Sequence, residues 1–190
     1  MLPNNSASTS VDVRSFIVPS STSLTSYHHG SMAIGDPSGG LLQQIWRCTY
    51  VNGQIVLYDS TDTQYPMIAV PGLTWCRFAF DQNMRPVFAY VANGASYYRW
   101  YDPIALDYVT VALPVGAVSP CVALDDARSL QIPVSDLIIA YIENDILYML
   151  VQRERYGITH QIGSVAPNST LHQIGMTTDY RFQFLIHTTS

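Results

Sequence analysis

Two stretches of this chain repeat one another. Val87-Phe-Ala-Tyr-Val-Ala-Asn-Gly-Ala-Ser-Tyr-Tyr98 aligns with Ile138-Ile-Ala-Tyr-Ile-Glu-Asn-Asp-Ile-Leu-Tyr-Met149, an offset of 51 residues from 87 to 138. Ala89 meets Ala140, Tyr90 meets Tyr141, Asn93 meets Asn144 and Tyr97 meets Tyr148. Upstream, Phe78-Ala-Phe-Asp81 meets Val122-Ala-Leu-Asp125 at an offset of 44, from 78 to 122. The two offsets differ by seven residues, which predicts a loop insertion near Ala127 to Val134. A fainter copy begins at Cys48-Thr-Tyr-Val-Asn-Gly-Gln-Ile-Val-Leu-Tyr58, shorter by one residue ahead of its Asn-Gly. Repeats of roughly 40 to 50 residues with about four short strands are the mark of propeller blades, whose apolar faces are buried only by stacking on neighbours.

The chemistry of these stretches is that of β-structure. From Leu41 onward a helical period is nearly absent, and short runs of Val, Ile, Tyr, Phe, Trp and Thr alternate with turn residues. Asn52-Gly53 and Asn93-Gly94 each lie between two such runs, and both residue types accept the positive φ that a tight type I′ hairpin demands. The expected fold is all-β: propeller-like or sandwich-like tandem antiparallel units at 45–72, 73–118 and 119–165, with two further strands from the C-terminal segment. Residues 41–190 then form one domain. Residues 1–40, rich in Ser, Thr, Asn, Gly and Pro, cannot bury enough apolar surface alone and read as disordered or as an extended arm that orders against a neighbour, the short apolar clusters favouring the arm. A closed propeller ordinarily has at least four blades. Three units leave strand edges open, and open edges invite pairing with another copy.

Composition supports the same expectation. Only 12% of the 190 residues are charged, against roughly 25% in an ordinary soluble domain. Interface cores are poor in charge and rich in aromatics, so a charge-poor, Tyr-rich chain is expected to be covered by other subunits. The net charge is −5 and the 9 basic residues are scattered singly, so no stripe exists to neutralise phosphates and nucleic acid is not an expected partner. No apolar run reaches the roughly 18 residues of a membrane-spanning helix. The opening Met1-Leu-Pro-Asn-Asn-Ser lacks the features of a secretory signal, which points to synthesis and assembly in a cytoplasm. Cys48, Cys76 and Cys121 are widely spaced within apolar runs, a pattern of buried thiols rather than of zinc ligands.

Candidate chemical groups are few. Asp81 and Asp125 occupy matching repeat positions; as a repeated pair they read as turn-closing carboxylates rather than as a catalytic dyad. Glu143 and Asp145 flank Asn144 at a hairpin tip and read as solvated turn residues. His28, His29, His160, His172 and His187 lack metal-ligand spacing. No nucleophile elbow, phosphate-binding loop or dinucleotide fingerprint occurs. The expectation is therefore no enzyme, no cofactor and no metal. Trp46, Trp75, Tyr97, Tyr98, Trp100 and Tyr101 are the candidate surface residues, either packed in a core or subunit interface or stacked on sugar rings of a host glycan.

Phe80-Asp-Gln-Asn-Met-Arg-Pro-Val-Phe-Ala-Tyr90, Tyr98-Arg-Trp-Tyr-Asp-Pro103, Leu124-Asp-Asp-Ala-Arg128, Ser135-Asp-Leu-Ile-Ile-Ala-Tyr-Ile142, Leu147-Tyr148, Gln152-Arg-Glu-Arg-Tyr156, Gly175-Met176 and Arg181-Phe-Gln-Phe184 follow one another in order. This series resembles tail-associated structural proteins of tailed bacteriophages and prophages. The resemblance covers about Leu41 to the C-terminus and leaves the first 40 residues outside. It implies a virion component of the tail (a connector, nozzle or fibre-anchoring part) that partners itself and other tail proteins. A carbohydrate-binding module for host adsorption is the alternative.

Overall fold

A computed structural model describes residues 31–35, 44–81, 83, 85–125, 136–176 and 181–189. The fold is all-β. Its strands form four antiparallel sheets, each of them open, and each built from strands consecutive in sequence. Sheet I is the meander β1 (Ser31–Gly35), β2 (Gln44–Val51), β3 (Gln54–Tyr58) and β4 (Gln64–Ala69). Sheet II is β5 (Leu73–Phe80), β6 (Pro86–Ala92), β7 (Ala95–Asp102) and β8 (Asp107–Ala112). Sheet III is β9 (Val118–Leu124), β10 (Leu137–Glu143), β11 (Ile146–Val151) and β12 (His160–Ser164). Sheet IV is the hairpin of β13 (Ser169–Met176) and β14 (Phe182–Thr188).

The repeat read from sequence is a repeat of sheets. In each of the first three, the second and third strands meet at a two-residue turn with both central residues at positive φ: Asn52 and Gly53 (49° and 79°), Asn93 and Gly94 (51° and 77°), Asn144 and Asp145 (50° and 59°). That is the type I′ geometry, whose twist matches the strands it joins. Tyr90 stacks across the ladder on Tyr97 at 5.4 Å, and its counterpart Tyr141 stacks on Tyr148 at 5.5 Å. The faint first copy is displaced: with Asn52 set on Asn93, Thr49 and not Tyr50 falls at the position of Tyr90. Tyr50 accordingly turns toward sheet II and donates its hydroxyl to Val70 O at 3.1 Å.

Stacking of the sheets makes the core. Phe88, Tyr90 and Ala92 of β6 pack with Trp46, Cys48, Ile55 and Leu57 of sheet I, while Val87 and Ala89 turn the other way, toward Leu137, Ile139 and Tyr141 of sheet III. Strand β10 repeats the arrangement, with Ile138, Ala140 and Ile142 facing Leu171 and Ile174 of sheet IV. Strands covered on both faces need apolar residues at every position, which is why these two are runs without polar alternation. The last strands, β4, β8 and β12, are largely exposed. Pro66 and ladder irregularities between β3 and β4 and between β11 and β12 make two of these edges poor templates for another strand.

The first strands of the sheets are neighbours in space: β1 and β2 lie against β5, β5 to β7 against β9, and β13 against β9 and β10. Strand β1 falls within the segment 1–40 that the sequence suggested as an arm. It pairs with β2, Ser31 opposite Cys48 and Gly35 opposite Gln44. The remainder of that arm, 1–30 and 36–40, and the insertion near 127–134 lie outside the described residues.

Ile139, fully buried between sheets II and III, is expected to cost about 3 kcal/mol when changed to alanine. The exposed Ile104 is expected to cost under about 0.5 kcal/mol, a contrast that urea unfolding would measure. Deleting residues 1–40 removes β1 and uncovers the edge of β2, so its thermal midpoint is expected to fall below that of a chain lacking only 1–30.

Candidate interaction surface

The meander topology gives the stack two unlike ends. One carries the three type I′ hairpins and the links between sheets. There Ser96 Oγ donates to Ala117 O at 2.6 Å, and Val70 N donates to Gly53 O at 2.8 Å. Gly72 at φ +73° has no room for a side chain, since a Cβ would fall 2.1 Å from Asn93 Oδ1.

The opposite end carries turns closed by aspartates. Asp81 Oδ1 accepts the amides of Asn83 and Arg85 at 2.8 and 2.9 Å, and Asp125 Oδ1 accepts the amide of Asp136 at 2.6 Å. Asp125 therefore ties Asp136 to the end of β9, and Asp81 closes a turn. Asp59 does the same for Thr61 and Thr63, at 2.8 and 3.0 Å, and Asp102 for Ile104 at 2.9 Å. The second pair was not singled out from sequence, although its signal is there: Tyr58-Asp59 and Tyr101-Asp102 both end a third strand.

The segment after β11 locks sheet III to sheet II at this end. Arg155 and Tyr156 both sit in the left-handed region, at φ 53° and 56°. That backbone sends the Tyr156 ring into the shared core against Tyr98 and Trp100, at 5.2 and 5.0 Å, while the Arg155 guanidinium pairs with Asp102. The Ile104 amide first, and then Arg155, hold the Asp102 carboxyl below its ordinary range. Asp136 lies the other way: burial, and then the charge of Asp125, push its carboxyl up. Glu154 Oε2 meets His160 Nε2 at 2.6 Å. The buried hydroxyl of Tyr156 has no hydrogen-bond partner among the described residues.

Most of the aromatic candidates are already engaged. Trp46, Tyr98 and Trp100 are core residues with no face left for a ligand. Tyr97 is stacked on Tyr90. Trp75 donates its indole N–H to Pro120 O at 2.8 Å and lies under the Arg77 guanidinium at 3.8 Å. Tyr101 packs edge-on to Tyr108 beneath Arg85, whose guanidinium stands 3.9 Å from its ring centre, and Arg99 lies 5.2 Å over Tyr108. Burial pushes the Tyr108 hydroxyl up to about 12. Sugar stacking on Trp75 or Tyr101 would have to displace a guanidinium that already supplies a cation–π contact.

What the surface does present is apolar turns. Ile104 and Leu106, 70% and 74% exposed, form the tip between β7 and β8. Ile158 stands exposed just beyond the Arg155–Asp102 tie. Leu106 is also at φ 55°, a region unfavourable for a leucine. At the other end Val115 is fully exposed on the link between sheets II and III. Among the described residues no three His, Cys, Asp or Glu side chains are grouped to hold a metal ion.

Tyr156→Phe removes a buried donor that lacks an acceptor, so it is expected to leave stability unchanged or raise it by about 1 kcal/mol in chemical denaturation. The depressed Asp102 carboxyl stabilises the fold above the unfolded-state value near 4 and loses that contribution as pH falls through the lower folded value. Asp102→Asn is therefore expected to lower the thermal midpoint at pH 7 and to flatten its decline below about pH 4. Sequence and structure comparisons give no relative to set beside these features: no family model, no curated protein and no solved structure matches the chain.

Proposed function

We propose that this chain is a non-enzymatic structural component of a virion tail, a propeller-like arc of sheets that works by binding copies of itself and neighbouring tail proteins. The observation that carries the reading is the unequal completion of the sheets. Three have four strands; the fourth has two, and β14 pairs only with β13 among the described residues. A strand whose second ladder edge is unpaired among the described residues, with no Asp, Glu, Lys or Arg from Phe182 to Thr188, is a template for strand addition.

Two further features agree. Ile104 and Leu106 stand exposed together at one turn tip, and Leu106 is held in a backbone region that costs a leucine stability. The low charge density leaves little to oppose close approach of copies. The resemblance of the sequence to phage tail-associated proteins suggests the setting. Glycan binding is the weaker reading, because the aromatic faces it needs are occupied by the core or by arginines.

Light scattering coupled to size exclusion tests this directly. The full chain is expected to be oligomeric, and Leu185→Pro, which removes a donor and distorts β14, is expected to shift it toward smaller species. Ile104→Asp with Leu106→Asp is expected to leave the thermal midpoint within about 2 °C, since neither side chain is buried, while reducing incorporation into particles. A well-folded monomer at high concentration that also enters particles normally when both turn residues are charged contradicts the reading.

A further inference from the structure

Cys48 on β2 and Cys76 on β5 belong to different sheets and face each other across the core between sheets I and II. Their sulfurs are 3.6 Å apart and neither residue is exposed at all. Cys121 stands elsewhere, packed between sheets III and IV with its thiol toward Leu171 O at 3.5 Å. Two thiols in van der Waals contact need a closing movement of only about 1.5 Å to reach the bond length of a disulfide. Three buried cysteines used merely as small apolar residues have no reason to place two sulfurs against one another across a sheet boundary.

We propose that Cys48 and Cys76 are a latent cross-link, a site of disulfide formation that ties sheet I to sheet II when the chain meets a peroxide. The step balances with hydrogen peroxide as the two-electron oxidant. One thiolate attacks a peroxide oxygen, the O–O bond breaks, and hydroxide leaves to take up the proton released from that thiol, giving a sulfenic acid and one water. The second sulfur then attacks the sulfenic sulfur; the S–S bond forms, the S–O bond breaks, and the hydroxyl leaves with the second thiol's proton as another water. Two S–H bonds and one O–O bond are lost, and one S–S bond and two waters are gained.

Surroundings set the pace of this reaction rather than its direction. Burial, and then contact with Cys76, push the Cys48 thiol well up, so that sulfur is held away from the reactive thiolate form. Oxidation therefore waits on local opening between the sheets. Once made, the bond closes a loop of 28 residues and constrains the unfolded chain. The inference does not depend on assembly into particles, since both cysteines lie in one chain.

The sequence makes the test simple. Cleavage after Arg47 and Arg77 yields one tryptic peptide holding both cysteines, with no Lys or Arg between them, while Cys121 falls in another. The purified full chain is treated with hydrogen peroxide, denatured, alkylated and digested. A parallel sample is unfolded under reducing conditions and refolded in a glutathione redox buffer, which removes access to the buried site as an obstacle. The expected product is the Cys48–Arg77 peptide lighter by two hydrogens and unalkylated, with Cys121 alkylated. The thermal midpoint is expected to rise by about 5–10 °C and to return on adding a reductant. Formation in either sample supports the proposal. Both cysteines of that peptide alkylated in both samples, or a bond that engages Cys121 instead, overturns it; so does a Cys48–Cys76 bond that lowers the midpoint.

Discussion

Burial of the middle strands on both faces is the constraint from which the rest of this structure follows. A four-stranded meander has two faces, and β6 and β10 are apolar on each of them. Sheet II must therefore lie between two other sheets, and so must sheet III. This fixes the order of the stack as the order of the chain, because each short link delivers the next sheet onto the face still uncovered. It also explains why the central strands contain almost no charge, and why paired tyrosines recur where the sheets begin to spread.

The last of the described sheets is a hairpin. Phe182, Phe184 and Ile186 turn inward to cover sheet III, while the alternate residues Gln183, Leu185 and His187 lie on the other face. Sheet IV thus turns one face inward, where the middle strands of sheets II and III are buried on both. Among the described residues the second ladder edge of β14 has no strand partner. We regard that edge, together with the apolar turn tips, as the part of the molecule that speaks to function; the aromatic residues serve mainly to hold sheets together.

Particular elements show what could be read in advance. The hairpins at Asn52-Gly53 and Asn93-Gly94 were legible because two adjacent positive φ angles select those residues on steric grounds, locally and without reference to the rest of the fold. The turn role of Asp81 was legible for a similar reason. Strand β1 was not: Ser31-Met-Ala-Ile-Gly35 is short and framed by turn-forming residues, and it is a strand because the edge of β2 is there to pair with it. Tyr98 and Trp100 share the buried face of an alternating strand, but which neighbouring sheet that face meets was not given by the alternation. The displacement of Tyr50 was legible in the one-residue shortening ahead of Asn52-Gly53; the left-handed pair Arg155-Tyr156 that plugs the core had no local signal.

The amino-acid sequence by itself determined that this is a β-protein, where its tight turns fall and that its units repeat. These properties depend on φ preferences, strand-forming side chains and spacing, all of them local. Only the tertiary structure decided which faces meet, which aromatics are sealed and which capped by arginine, and that Cys48 and Cys76 touch. Those outcomes depend on residues brought together from distant parts of the chain, and packing between sheets, being non-directional, leaves no periodic trace from which they could be read.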